Sequence, residues 1–343
     1  RNALKQEKEM KNKKFIIWGH PLHSHTHSYV NGGMYKALKA LGREVYWFTD
    51  DNHPEESHFD YENSIFFTEA GGPGTEEKIP LNKSSDYLVH CCINPKKYLE
   101  ADCRLIDVRF NVKEIYDCNY NYVRDPSKVE KINDCLYYEK LDSDSGLTNR
   151  QFPNQKVSYE AIYLTWATDL LPEEIKEEFV DIPRENKIYW LGSISHSNSK
   201  EILPFAEAAK RKGVSFIHNN PWANPISYDD CMKLTQVSYL APDIRGSGDS
   251  DTFTGTNHLK IGYVACRQFK NISYGQIGLT NSEESQRVFE GKLILNSDTE
   301  ALFEDGERNK LNKNLILEQM KLVKEKHTWK TRTNNLLKLI ESR

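Results

Sequence analysis

The sequence predicts an α/β protein made of two Rossmann-like, doubly wound domains, and three observations predict it. The chain has 343 residues, more than one ordinary core needs and close to two domains of roughly 150–200 residues each. Short apolar runs alternate with stretches of helical periodicity in both halves, the pattern of βαβ units. A second start appears at KIYWLGSI, 187–194, after the acidic, proline-containing stretch LPEEIKEEFVDIPREN, which reads as a linker. The expected division is therefore 1–184 and 185–343, with the long C-terminal helix closing the second domain.

The elements follow in order. KFIIW, 14–18, is an apolar strand ending at Gly19, and a polar loop leads into YVNGGMYKALKALG. There Val30, Met34, Ala37, Leu38 and Leu41 recur at three- and four-residue spacing, Gly42 supplies a stop, and EVYWFTD resumes as a strand. Parallel pairing across such a unit is what a doubly wound sheet requires. SIFF, DYLVHCCI, CRLIDVRF and AIYLTWA are further candidate strands, whereas residues 111–155, rich in Tyr, Asn and Asp, receive no element. In the second half EILPFAEAAKRKG reads as helix, VSFIHNN as strand, ISYDDCMKLTQ as helix and VSYLAP as strand. LKIGYVACRQFKNISYG is expected as one helix, QIGLTN as a strand, VFEGK as a turn and LILNS as a short extended piece. LILEQMKLVKEKHTWKTRTNNLLKLIESR is expected as a single long helix.

Composition excludes several classes of function. Lys and Arg number 46 against 50 Asp and Glu, a net charge of −4 without like-charge blocks, so there is no electrostatic footprint for nucleic acid. Hydrophobic residues at 38% supply enough apolar surface for two cores. No apolar run approaches the roughly 18–20 residues of a membrane span. The opening RNALKQEKEMKNKK has no apolar segment of a signal peptide, and the seven cysteines show no CxxC spacing, so reduced thiols in a cytoplasmic location are expected.

Two tandem doubly wound domains with a closing helix resemble the GT-B glycosyltransferases. The likeness is best over 187–336, in RQFKNISYGQIGLTNSEESQRVFEGKLILNSDTEALF and in the final HTWKTRTNNLLKLI. FIIWGHPLHSHTHSYVNGGMYKALKALGREVYWFTD is similar to the opening of the family's acceptor domain. The resemblance implies a glycosyltransferase, a hexosyl- or pentosyltransferase, with nucleotide sugar bound by the second domain and a glycan or other hydroxyl acceptor by the first. Transfer would occur in the cleft between them, with no cofactor or obligatory metal beyond the donor co-substrate. Many retaining members carry two Glu seven residues apart near GYVACRQFKNISYGQIG, and this chain has neither. It is closer to members with an Arg-x-Phe-acidic arrangement, in which Arg267 and Phe269 match and Lys270 replaces the acidic residue. The stereochemical outcome therefore does not carry over.

Transfer from a nucleotide sugar needs a cradle for the diphosphate on which negative charge grows. The segment DIRGSGDSDTFTGTNHLKIGY offers Arg245, Ser247, Gly248, His258 and Lys260 before a predicted helix, where glycines admit phosphate and free N–H groups favour an anion. Its plain alternative is a surface loop with an ordinary N-cap. Gly192 and Ser193 follow the second domain's first strand, at the edge where such sheets bind ligands. Arg267, Tyr274, Asn281 and Ser282 complete the donor set, although Tyr274 and the adjacent Gly275 fit a helix C-cap equally well.

Four histidines, His20, His23, His25 and His27, crowd the first loop. Imidazole titrates near neutral pH, so His25 or His27, nearest the helix start, is the candidate base for an acceptor hydroxyl. His20, His23, Trp166 and Asp169 are candidate acceptor contacts; for any one of these a structural role competes. A metallohydrolase HxHxDH signature would need Asp at 27 and His at 28, where the chain has His27 and Ser28. A catalytically silent nucleotide- or sugar-binding protein is the other alternative. A dinucleotide oxidoreductase fits less, because the first loop lacks GxGxxG.

Overall fold

A computed structural model describes residues 13–19, 26–69, 76–90, 92, 95–110, 126–141, 148–149, 152–156, 159–221, 223–248 and 257–343. The chain forms two compact units: 1–21, 31–165 and 332–343 make the first, 22–30 and 166–331 the second.

In the first unit the apolar run gives β1 (Lys14–Trp18), followed by α1 (Thr26–Ala40), whose C-terminal part belongs to this unit, and β2 (Val45–Phe48). The α1 stop is a Schellman turn: Gly42 takes φ +72°, and the Arg43 N–H reaches the Leu38 carbonyl at 3.0 Å. Then come β3 (Ser64–Glu69), β4 (Asp86–His90), α2 (Pro95–Glu100) and β5 (Arg104–Arg109). β6 (Glu130–Asn133), β7 (Leu136–Leu141), β8 (Thr148–Asn149), β9 (Phe152–Lys156) and β10 (Tyr159–Leu164) follow.

The main sheet runs β2-β1-β3-β4-β5-β10-β7-β6. It is parallel from β2 to β10, and β7 and β6 extend it as an antiparallel edge. That edge comes from the Tyr-rich 111–155 stretch to which no element was assigned. There Leu136 and Tyr138 are buried while Tyr137 is only partly so, a strand alternation that Glu and Lys neighbours obscure. The order reverses between β1 and β3, beside Gly19, at a topological switch point. Beneath the sheet Phe66 and Tyr87 stack at 4.8 Å, and Trp18 donates its indole N–H to buried Asp50 at 2.7 Å.

The second unit contains β11 (Lys187–Leu191), α3 (Ser199–Arg211), β12 (Ser215–Asn219), α4 (Tyr228–Val237), α5 (Cys266–Ser273), β13 (Leu279–Thr280), α6 (Glu283–Val288), β14 (Ile294–Leu295), α7 (Thr299–Asn309) and α8 (Lys313–Lys326). β11 pairs parallel with β12, and β13 with β14. The last helix, α9 (Trp329–Ser342), passes at Arg332 into the first unit.

Four sequence expectations are corrected here. VSYLAP is not a regular strand: the Ser238 hydroxyl takes the Tyr189 N–H at 3.0 Å in place of a backbone acceptor, and Pro242 has no N–H to give. Isolated bonds, Glu185 N–H to Val237, Tyr239 N–H to Lys187 and Asp243 N–H to Leu279, join it to its neighbours instead. The helix expected from Leu259 begins at Cys266, because Gly262 turns the backbone to φ +65°. The expected single C-terminal helix breaks between Lys326 and Trp329, where Thr328 bridges to Thr168 and its hydroxyl accepts the Thr331 N–H. The acidic stretch expected as a linker lies inside the second unit, tied down by Arg184 bonds to the Gln236 and Gly275 carbonyls. Among the described residues no helix is long and apolar enough to cross a membrane. Cys92, Cys103, Cys135, Cys231 and Cys266 are unbridged.

Candidate functional site

At the carboxyl end of β11 the second unit opens a cavity of about 230 Å³. Most of its wall comes from the turn after β11 with Gly192 and Ser193, the stretch Ile244–Gly246, and residues from His258 to Lys270 in the second turn of α5, with Tyr29, Asn198 and Pro221 beside them. Arg245, Arg267 and Lys270 bring three cations to its wall, and among the described residues no carboxylate lines it. Ala265, the α5 N-cap, offers no side-chain acceptor to the first turn, where the Gln268 N–H turns to the Ala265 carbonyl at 3.3 Å, and it too lines the cavity. Cations and a helix N-terminus converge on one space, which is the electrostatics of an anion site.

Each cation is fixed differently. Arg245 is buried and donates to Asp243 at 2.5 Å, with Tyr263 on another side at 5.7 Å. Its backbone is clamped by Asn281, which accepts the Arg245 N–H at 2.8 Å and donates to the Arg245 carbonyl at 2.9 Å. Arg267 lies 4.0 Å over the Trp190 ring and donates to the Leu191 carbonyl at 2.9 Å. Burial, then the neighbouring Arg245, lower it to about 10, which leaves it charged at neutral pH. Lys270 places its ammonium 3.3 Å from the Tyr29 ring centroid. His258 is lowered to about 4, first by burial and then by Arg245, so it enters the site as neutral imidazole.

The structure brings together five of the donor residues named from sequence: Gly192, Ser193, Arg245, His258 and Arg267 line the cavity. The other six do not line it. The Ser247 hydroxyl bonds to Glu201, and the Gly248 N–H goes to the Ser197 carbonyl at 3.0 Å, so both knit loops together. Lys260 is exposed, its N–H held by Asn257 at 2.6 Å. Tyr274 is buried with its hydroxyl donating to Asp169 at 2.7 Å, burial and Asp169 pushing its pKa well up. Asn281 acts behind Arg245, and Ser282 caps α6 by accepting the Ser285 N–H at 3.3 Å.

Of the acceptor residues, Trp166 is 2% exposed and meets Tyr263 and Trp329 edge-on, so no ring face is open for stacking. Asp169 serves Tyr274. His20, His23 and His25 lie outside the described residues, as do 249–256 of the glycine-rich loop, and so does the side chain of His27 on α1. Sequence reasoning passed over Lys270 as a contributor. The available signal was its position three residues after Arg267, which places both on one helix face.

No family model and no curated protein matches the sequence. Among solved structures, an alpha-glucosyltransferase in complex with UDP superposes with a TM-score of 0.56 at 9% identity, over 96% of this chain and 100% of that one. The same kind of enzyme in complex with UDP and a 13-mer DNA gives 0.56 at 8% identity, over 96% and 100%. A glycosyltransferase involved in avilamycin A biosynthesis gives 0.51 at 9% identity, over 96% and 98%. At these identities the likeness speaks to architecture: the chain has the GT-B fold, the fold of nucleotide-sugar glycosyltransferases.

Proposed function

We propose that the protein moves a sugar from a nucleotide-sugar donor to a hydroxyl of a glycan or glycoconjugate acceptor, with the donor diphosphate seated in the second unit's cavity. The observation that carries this reading is the convergence of Arg245, Arg267 and Lys270 with the start of α5 on one cavity that no carboxylate lines among the described residues. As the glycosidic bond breaks, electrons pass to the leaving diphosphate oxygen, and fixed cations in a partly dehydrated site stabilise the charge that develops there. The same charge is what a divalent metal would otherwise neutralise, so transfer is metal-independent in this reading. The acceptor oxygen attacks the anomeric carbon and loses its proton to a base, for which His25 and His27 stay the candidates. Neighbours that hold UDP make uridine the first nucleoside to try; the sugar is a hexose or a pentose.

Thermal shift against nucleoside diphosphates, followed by assay of nucleotide-sugar turnover, tests this. The expected results are a raised melting point, about 2.7 kcal/mol of stabilisation at one hundred times Kd, and diphosphate release that persists in EDTA. Lys270→Met should raise the diphosphate Kd about tenfold, as for a lost charge-assisted hydrogen bond. Failure of every nucleoside diphosphate to bind would overturn the reading. Binding without turnover of any nucleotide sugar would support a silent binding protein instead, and loss of turnover in EDTA would remove metal independence.

A further inference from the structure

A buried cation can be held in place by a carboxylate, which cancels its charge, or by an aromatic face, which leaves the charge intact. Among the described residues Arg245 alone of the cavity's cations has a carboxylate partner, Asp243. Arg267 and Lys270 make no ion pair among the described residues and lie on rings instead, Trp190 at 4.0 Å and Tyr29 at 3.3 Å. The Tyr29 ring is itself immobilised. It is 2% exposed, Tyr228 backs it edge-on at 4.6 Å and 88°, and the Tyr228 hydroxyl donates to the Ser28 carbonyl at 2.6 Å. Both tyrosines and Lys270 belong to the second unit, and Tyr29 and Lys270 both line the cavity.

We propose that Tyr29 is a positioning residue for the donor diphosphate: its ring holds the Lys270 ammonium at the cavity wall without neutralising it. The inference rests on reading the cavity as a diphosphate site and adds the device that prepares it. A free lysine would have to surrender its rotamers when the anion arrives; one already resting on a fixed ring has surrendered many of them. A carboxylate at position 29 would hold the ammonium as well but would repel the incoming phosphates.

The experiment is a calorimetric titration with UDP, GDP and ADP at fixed salt of five proteins: wild type, Tyr29→Phe, Tyr29→Leu, Lys270→Met and the Tyr29→Leu/Lys270→Met double variant. Melting temperatures are read in parallel. Tyr29→Phe keeps the ring and should stay within about twofold of wild type. Tyr29→Leu should weaken the diphosphate that binds by about five- to tenfold, the scale of one partly desolvated cation–π contact. In the Lys270→Met background the same change should cost almost nothing, because the ring then has no ammonium to hold. If Tyr29→Leu melts below the assay temperature, Tyr29→Met fills the space without a ring and the same outcomes apply. Unchanged affinity on loss of the ring overturns the inference while leaving the diphosphate site standing, and so does an equal loss in the Lys270→Met background. Wild-type protein that binds none of the three nucleotides overturns the diphosphate reading and this inference with it.

Discussion

At the scale of single residues, among the described cavity groups His258 is the one that titrates near neutral pH and is held neutral well below its ordinary value. Burial and the adjacent Arg245 lower it to about 4, and its ring lies 4.8 Å from that of Tyr263. A fourth positive charge is thereby refused, and the imidazole keeps one donor and one acceptor for hydroxyls or amides. The sign of its effect on stability follows. Between the ordinary value of about 6.5 and the folded value, the unfolded chain binds the proton and the folded one does not. Its contribution is therefore complete above about pH 6.5 and is lost progressively as pH falls toward 4. Urea unfolding of wild type and His258→Gln across pH 4–8 should show a shallower acid loss in the variant within that window and parallel behaviour above pH 7. Identical slopes between pH 4 and 6.5 would show that His258 titrates normally. From sequence His258 was named as a donor contact, but its neutrality depends on packing that no spacing displays.

At the scale of elements, loops after β11 and around Arg245 form much of the cavity's wall, and glycines decide how closely they approach. A Cβ on Gly246 would overlap the Ser197 carbonyl and sit 2.8 Å from the Asn198 Cα, both backbone atoms. A Cβ on Gly192 would overlap the Arg267 guanidinium, the far end of a flexible side chain. The two substitutions to alanine should therefore separate. Gly246→Ala forces one loop off the other and should cost about 1–3 kcal/mol, the range of an overpacked core. Gly192→Ala should leave the melting point near wild type while driving Arg267 off Trp190, so that diphosphate affinity falls. Melting curves and diphosphate titrations on both variants check this, and a larger melting-point loss for Gly192→Ala would refute it. From sequence these glycines are expected where a phosphate could approach the backbone. Gly192 and Gly246 both line the cavity, and Gly246 and Gly248 also owe their size to backbone contacts with the loop at Ser197. Periodicity located α1 and α3 because each buries a regular face, and β1 because it is an apolar run buried almost throughout; β12, mostly exposed, was legible from its short β-branched and aromatic run. Periodicity could not foresee the break at Thr328, whose cause is a bridge to Thr168, 160 positions away in the chain.

At the scale of the whole molecule, charge is where sequence and structure part most. A net charge of −4 spread without blocks gives no sign of an anion site. The site exists because folding sorts charges: Arg267 and Lys270 share a face of α5, Arg245 comes from a loop, and among the described residues no carboxylate reaches the lining. Tyr29 and Trp190, which hold two of those cations, come from residues far along the chain from α5, so no local window joins them. A ligand held this way should order a discontinuous set of segments. Hydrogen exchange with and without a saturating nucleoside diphosphate should show slowed amides around 191–193, 244–246 and 263–270, and at 28–30 near the start of α1, which carries Tyr29. Amides of β3, β4 and β5 sit in the first unit's buried parallel sheet and already have ladder partners, so they should not change. Protection confined to the first unit would place the anion elsewhere. Protection of 191–193 and 244–246 without 28–30 would mean that Lys270 reaches the diphosphate without help from Tyr29.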